Sequence, residues 1–281
     1  LNKLNYRSSP MVLTNGFVND YSFVLKNLNS KGENSLNYKN TSDHKLLSKI
    51  MLNTKYPLIK KNNKGTKYLI PTISTRFSPS ETKNIRSEDN RVDYLELFNL
   101  ERLNDDDMIE GGESVTLGGE YKVINQSGTE TVNFSAGQVF RINENSDLPL
   151  NSSIGQKRSD IIGTLKLSPN DFLNIKYSFS YDNDLNNSTF NYTETDLTFS
   201  KFSTSFKYYE ASDIVYQKSY ISNISKLNLN DGNSIQFATN KNLDTNLTEY
   251  YDLIYEYKND CLTASIEYKK RYYNDVDLSP D

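Results

Sequence analysis

Catalytic or metal-binding chemistry would have to come from very few side chains here, because histidine and cysteine occur once each, as His44 and Cys261. A zinc site or a Cys-His nucleophilic pair needs more of either residue. His44, set among Asn, Ser, Asp and Lys, therefore reads as a surface-loop residue. Asp105, Asp106 and Asp107, with Glu110 and Glu113 nearby, offer hard oxygen donors for a cation, but their spacing fits no EF-hand loop and a solvated acidic loop is the preferred reading. Glu249 and Asp252 do not make a glycosidase dyad, which needs a cleft and two separated pKa values. The chain has no nucleophile elbow, phosphate-binding loop or dinucleotide fingerprint. These absences point away from an enzyme and imply no cofactor and no metal. Cys261 keeps two readings, an inert buried hydrophobe or an exposed thiol beside the Asn259-Asp260 turn that pairs in an oxidising compartment.

The elements that would position these residues are strands. Only 36% of the 281 residues are hydrophobic, yet aromatics reach 12% through 21 Tyr and 13 Phe. A mean hydropathy of -0.70 leaves no run of about 18 apolar residues for a membrane helix. A membrane β-barrel remains compatible, since only alternate residues of each strand face lipid. A soluble β protein rich in Asn, Lys and Ser is the competing reading of the composition. A net charge of -4 and a pI near 5.3 argue against a nucleic-acid partner, which calls for a basic stripe.

Period-2 patterning predicts about 14 strands, near 1-9, 17-29, 46-59, 66-77, 113-125, 130-142, 159-168, 171-182, 189-199, 203-212, 217-228, 233-241, 248-258 and 261-273. Leu173, Ile175, Tyr177, Phe179 and Tyr181 alternate with Asn174, Lys176, Ser178 and Ser180, and Leu262, Ala264 and Ile266 alternate with Thr263, Ser265 and Glu267. A phase break between Ile224 and Leu227 predicts a bulge or a misplaced strand. The connections alternate between long and short from the 78-112 loop onward, as in an up-and-down outer-membrane barrel and unlike a Greek-key sandwich. That parity puts Cys261 at the short-turn end. The 78-112 loop carries helical spacing at Tyr94, Leu97 and Phe98, which predicts a helical turn over Tyr94 to Arg102.

One stretch within that loop, from Leu97 and Phe98 through Arg102, Asp107 and Glu110 to Gly111 and Gly112, reads LF-x-L-x-R-x-x-x-x-D-x-x-E-G-G. With PTISTRFSP (Pro71 to Pro79), GQVFR (Gly137 to Arg141), SDIIGTLKLSP (Ser159 to Pro169) and the ending from Leu247 to Pro280, it resembles the barrel domain of the LptD family of lipopolysaccharide-assembly proteins. The resemblance implies an all-β, up-and-down antiparallel transmembrane β-barrel segment of roughly 14 strands, incomplete at both ends. Residues 1-281 would be part of one outer-membrane barrel domain with an extracellular loop at about 78-112, lacking the N-terminal periplasmic domain and the final strand. It implies passage of lipopolysaccharide through the lumen and out by a lateral seam lying outside this segment. The implied partners are lipopolysaccharide, an LptE-like plug lipoprotein, an LptA-like periplasmic bridge reached through the N-terminal domain, the barrel-assembly machinery and outer-membrane lipid. The implied location is the cell outer membrane. In the resembled family a cysteine near the barrel's C-terminal end forms a disulfide with the N-terminal domain, which would give Cys261 a partner outside this chain. The alternatives are a porin or TonB-dependent-type transporter and, from another class, a soluble or surface β-rich binding module.

Overall fold

The computed structural model describes residues 1–31, 42–103, 106–212, 217–230 and 232–272. Strand makes up 65% of the described residues. In chain order the strands are β1 (Asn2–Arg7), β2 (Met11–Val12), β3 (Val18–Ser30), β4 (Asp43–Lys55), β5 (Leu58–Asn62), β6 (Gly65–Ser78), β7 (Gly112–Asn125) and β8 (Glu130–Arg141). They continue as β9 (Ile161–Asn170), β10 (Leu173–Tyr181), β11 (Ser188–Thr198), β12 (Phe202–Ser212), β13 (Gln217–Asn230), β14 (Asn233–Asn242), β15 (Leu247–Lys258) and β16 (Thr263–Arg271). A four-residue helix, α1 (Tyr94–Leu97), and a short 3-10 turn at Leu150–Ser152 are the helical elements among the described residues.

The hydrogen-bonded order is β1-β3-β4-β6-β7-β8-β9-β10-β11-β12-β13-β14-β15-β16, an up-and-down meander in which β1 and β16 each have a single neighbour on the path. This is the all-β architecture expected from the sequence. The two extra strands lie off the path, β2 on β3 and β5 on β6. The second is a matter of proline chemistry. β4 pairs with β6 up to Lys55↔Thr72, and β5 resumes the same register at Leu58↔Leu69. Between them Tyr56 and Pro57 face Pro71 and Ile70; the Tyr56 N–H donates to the Pro71 carbonyl, but Pro71 has no N–H to return. The stretch 46-59 is thus one strand whose ladder to β6 loses a donor at Pro71.

One sequence expectation is corrected. No bulge lies between Ile224 and Leu227, because β12 and β13 hold one register from Phe202↔Leu227 to Ser212↔Gln217. The irregularity falls instead at Asn228/Asn230, against β14. The break in phase has another cause, described with the faces below.

The chain divides into two compact units. One comprises Leu1–Gly128, Phe134–Gly163 and Tyr181–Asn187, the other Thr129–Asn133, Thr164–Ser180 and Ser188–Asp281. In the first unit the strands alternate in the opposite sense to a soluble sheet. Along β4, Leu47, Lys49, Met51 and Asn53 are buried while Leu46, Ile50 and Leu52 are exposed. Along β6, Thr72, Ser74, Arg76 and Ser78 are buried and Leu69, Ile73 and Phe77 exposed. β7 repeats this with Ser114 and Thr116 against Val115 and Leu117. Registers Met51↔Arg76 and Arg76↔Ser114 align these residues into cross-strand rows, so one face is mainly polar and covered, with Leu47 and Met51 among its residues, and the other is apolar and bare.

The second unit shows the same division by register. Phe206 opposes Asn223, Leu227 opposes Ile235, Phe237 opposes Leu253, and Tyr255 opposes Ile266, placing a largely apolar set on one face. Ser205, Lys207, Lys226, Gln236, Glu256 and Ser265 fall on the other. Tyr177 donates to Asn191 Oδ1 at 2.7 Å, while Lys176 lies 5.7 Å from the Tyr192 ring centroid, so successive residues of β10 face opposite ways as their alternation predicts. Ile224, opposite Ser205 and Ala238, is an aliphatic residue on the polar face. That misplaced side chain, and no extra backbone residue, produces the phase break.

Candidate functional site

The polar face of the first unit is covered by the chain between β6 and β7, which folds back on it. Its local structure is set by Asp93. The Asp93 carboxylate accepts from the Glu96 N–H and the Glu96 carboxylate accepts from the Asp93 N–H, both at 2.9 Å, a capping box that starts α1. Helical spacing then puts Tyr94 and Leu97 on one side, with Phe98 beside them. The expected turn over Tyr94 to Arg102 forms, confined to Tyr94–Leu97.

Tyr94 and Leu97 join Ile85, Val92, Leu103 and Met108 of the same loop, Leu148 and Ile154 of the 142-160 connection, and Val139 and Ile162 of the sheet in one buried apolar cluster. The long connection is therefore a packed cover. Two glycines give it a seat. A Cβ on Gly118 would come within 2.9 Å of the Phe98 ring and 2.5 Å of the Ala136 carbonyl, and one on Gly137 within 3.2 Å of Leu97. Hydrogen at Gly118 leaves room for Phe98, and at Gly137 it spares Leu97 a small displacement.

The rest of the interface is ionic. Glu110 receives Arg141 at 2.7 Å and Arg102 at 3.4 Å on Oε1, and Lys49 at 3.8 Å on Oε2. Arg102 donates to Ser114 Oγ at 3.0 Å and Thr116 Oγ1 at 3.1 Å. Arg76 donates to Thr116 Oγ1 at 3.0 Å and to the Leu97 and Asn99 carbonyls at 2.6 Å. Arg141 also donates to the Gly111 carbonyl. Lys26, 0% exposed, bonds the Met108 carbonyl at 2.9 Å and Glu101 at 2.5 Å, and Lys3 meets Glu101 from the other side at 2.7 Å.

Burial would raise the Glu110 carboxyl, but Arg102, Lys49, Arg141 and Arg76 outweigh it and hold the group well below the usual carboxylate range. Glu101, also pushed up by burial, is brought below its ordinary value by Lys26 and Lys3. Burial lowers the Arg102 guanidinium, partly offset by Glu110. Both glutamates are thus anions in the folded protein.

Of the residues singled out in the sequence, Leu97, Phe98, Arg102, Glu110, Gly111 and Gly112 meet at this interface. Gly111 sits so close to the Ser80 carbonyl that a Cβ would fall 2.2 Å from it, and Gly112 takes φ +85°. Asp107 is 2.6 Å from Lys83, and Asp106 is 3.5 Å from Lys3. Asp105 lies outside the described residues. No group of three potential metal ligands occurs among the described residues. His44 belongs to strand β4 and not to a loop, with Nδ1 2.6 Å from Asn29 Oδ1. Glu249 accepts from Asn240 at 2.6 Å, whereas Asp252 lies 3.7 Å from Lys269.

Cys261 is exposed, its N–H bonded to Asn259 Oδ1 at 3.0 Å. Within the second unit the Lys258 N–H donates to the Gly232 carbonyl, and the Asn228 N–H to the Lys201 carbonyl. The turn bearing Cys261 therefore lies at the same end as the β12 and β14 entry turns. Asp231 is outside the described residues. Arg76 and Arg141 lie in the PTISTRFSP and GQVFR runs, without a role assigned to either, whereas Lys26 and Lys49 escape a motif reading because each is one polar residue in an alternating strand. The D-x-x-E pair at Asp93 and Glu96 was a usable signal for the helix start.

The family model described as LPS transport system D, LptD, matches residues 14–246. A search of curated proteins gave no match.

Proposed function

The chain belongs to the LptD family of the lipopolysaccharide-transport system, and from that premise we propose that it is part of an outer-membrane β-barrel that delivers lipopolysaccharide to the outer leaflet. LptD proteins are a transport and assembly family of the outer membrane and not a family of enzymes. The observation that carries the reading is the inverted alternation of the sheet. Ile50, Leu52, Ile73 and Phe77 stand 47–50% exposed while their polar neighbours on the same strands are buried. In water such a face would be a large adhesive patch; in a bilayer it is the surface that faces lipid. A β-rich module in aqueous solution would show the reverse pattern.

In this reading residues 1–281 form a segment of one barrel domain, the polar face lines a lumen for the sugar head group, and the acyl chains leave by a seam between barrel ends. A closed barrel satisfies every backbone group in lipid, so lateral exit requires one weakly paired junction. An LptE-like plug, an LptA-like bridge and the barrel-assembly machinery are the partners this role calls for. Phe172 and Phe199 stack 5.8 Å apart at the turn end of the second unit, where Phe202 and Tyr257 are also exposed, as an aromatic girdle would be. Depletion of the full-length protein should remove newly made lipopolysaccharide from the cell surface. Unchanged surface lipopolysaccharide with loss of small-solute uptake would instead support a porin.

A further inference from the structure

The β5–β6 hairpin carries Lys60, Lys61, Lys64 and Lys67 and no acidic residue. Lys61 and Lys64, on the far face and in the turn, are accounted for as solvated residues, but Lys60 and Lys67 are placed differently. The register sets these two directly opposite each other, beside the Leu58↔Leu69 pair. Along β6 the exposed positions run without a break from Phe77 through Ile73 and Leu69 to Lys67, so both lysines stand on the apolar, bare face. Cross-strand partners have Cβ atoms about 4.5–5.5 Å apart, and like charges so placed are destabilising.

No acidic residue on that face offsets the repulsion. Val123 of β7 is the neighbour of Lys67, the Glu120 carboxylate belongs to the other face and lies 2.8 Å from Lys122, and neither Lys60 nor Lys67 enters an ion pair among the described residues. Lysine on an open edge discourages a further strand, which explains Lys60, because β5 pairs with β6 alone. It does not explain Lys67, which lies on β6 between β5 and β7. The pair also sits at a defined depth. From Phe77 to Lys67 the strand is about 33 Å long and, tilted by about 40°, rises roughly 25 Å, the height of a barrel's apolar band. With Phe77 beside the long-loop end, the lysines fall at head-group depth at the opposite, short-turn end, where Gly65 pairs with Asn125.

We propose that Lys60 and Lys67 hold the phosphate of an anionic glycerophospholipid in the leaflet at the short-turn end, with its acyl chains lying along Leu58, Leu69 and Tyr121. The inference rests on the membrane reading above and adds to it a bound lipid and its head-group class. Two ammonium groups converging on one phosphate gain the counter-ion that the sheet does not supply, and the repulsion between them becomes shared attraction. The row next to the lysines, toward the middle of the band, is Leu58, Leu69 and Tyr121, which suits acyl chains. The lysine stems can lie on this apolar surface while their charged ends reach the head groups. The lipid is a glycerophospholipid because the short turns of a barrel face the periplasm, whereas lipopolysaccharide is delivered to the opposite leaflet.

The test is native mass spectrometry of the full-length protein, delipidated in detergent and titrated with phosphatidylglycerol, phosphatidylcholine or a diphosphorylated glycolipid. Lys60→Gln/Lys67→Gln removes the pair, Lys61→Gln/Lys64→Gln removes equal charge from the same hairpin off that row, and heat-modifiable migration checks folding. Phosphatidylglycerol should bind the parent about tenfold tighter than phosphatidylcholine, weaken about tenfold in the first variant and change less than about twofold in the second. Equal loss in both variants, or loss in neither, overturns the site. Glycolipid binding as tight as that of phosphatidylglycerol, with the same dependence on Lys60 and Lys67, overturns the assignment to a glycerophospholipid. If the first variant does not fold, Lys67→Glu decides, because it sets an acid opposite Lys60 and leaves no place for an anion. Phosphatidylglycerol binding that survives this change overturns the proposal, and its loss from folded protein supports it. A parent that takes up none of the three lipids and stays soluble without detergent counts against the membrane reading itself, whereas equal binding of all three by a detergent-dependent parent refutes only this site.

Discussion

Glu110 shows how much one side chain carries in this protein. Its carboxylate meets Arg141, Arg102 and Lys49, so removing its charge leaves several buried cations facing one another. Breaking a buried pair from one side costs about 3–5 kcal/mol, and Glu110→Gln should lower unfolding stability at neutral pH by about that amount. The pH dependence has a definite sign. A carboxyl held below its ordinary value contributes fully above the unfolded-state pKa of about 4.3 and loses that contribution as pH falls through the lower folded-state value. Denaturant unfolding in detergent should therefore show the gap between parent and variant closing as the pH drops below about 4. A gap that stays constant would show that Glu110 acts by shape and not by charge. Most of this cluster stands in stretches that are conspicuous in the sequence, Arg102 and Glu110 in the non-repetitive loop and Arg76 and Arg141 in the PTISTRFSP and GQVFR runs, but Lys49 looks like any polar residue of an alternating strand until the cover folds onto it.

Among the elements, the strands were the most legible because side-chain alternation is a local property. β10 alternates without error, and β7 keeps its phase from Ser114 to Lys122. The double-proline site at Pro57 and Pro71 was not legible, since it depends on which residues face each other across β4 and β6. The cover was half legible. Its helical turn follows from spacing, but its return onto the sheet depends on Gly118 and Gly137, glycines that read in isolation as weak points in strands. At the hairpin between β15 and β16, exposure of Cys261 and its place among the entry turns of the second unit support the proposed disulfide to a partner outside this chain. Non-reducing electrophoresis of full-length protein from an oxidising periplasm should show a mobility shift on reduction that Cys261→Ser abolishes, while the sheet stays folded. Identical mobility in parent and variant would leave Cys261 as a plain surface residue.

At the scale of the whole molecule, the account depends on which face of the sheet meets lipid. Composition could not decide, because a chain in which alternate residues are polar has the same mean hydropathy in a barrel and in a soluble sheet. Register decides which residues share a face, and in each unit it collects apolar residues on one side: Leu52, Ile73 and Leu117 in the first, Phe206, Phe237 and Leu253 in the second. The most direct test is spin-label accessibility in reconstituted bilayers. A single label would be placed in turn at Ile73, Leu117, Phe237 and Leu253, and for contrast at Lys226, Gln236 and Glu256, in a Cys261→Ser background. The account predicts high collision rates with oxygen and low rates with a water-soluble nickel chelate at the first four, and the reverse at the last three. Equal, high nickel accessibility at Ile73 and Phe237 would place those side chains in water and contradict it.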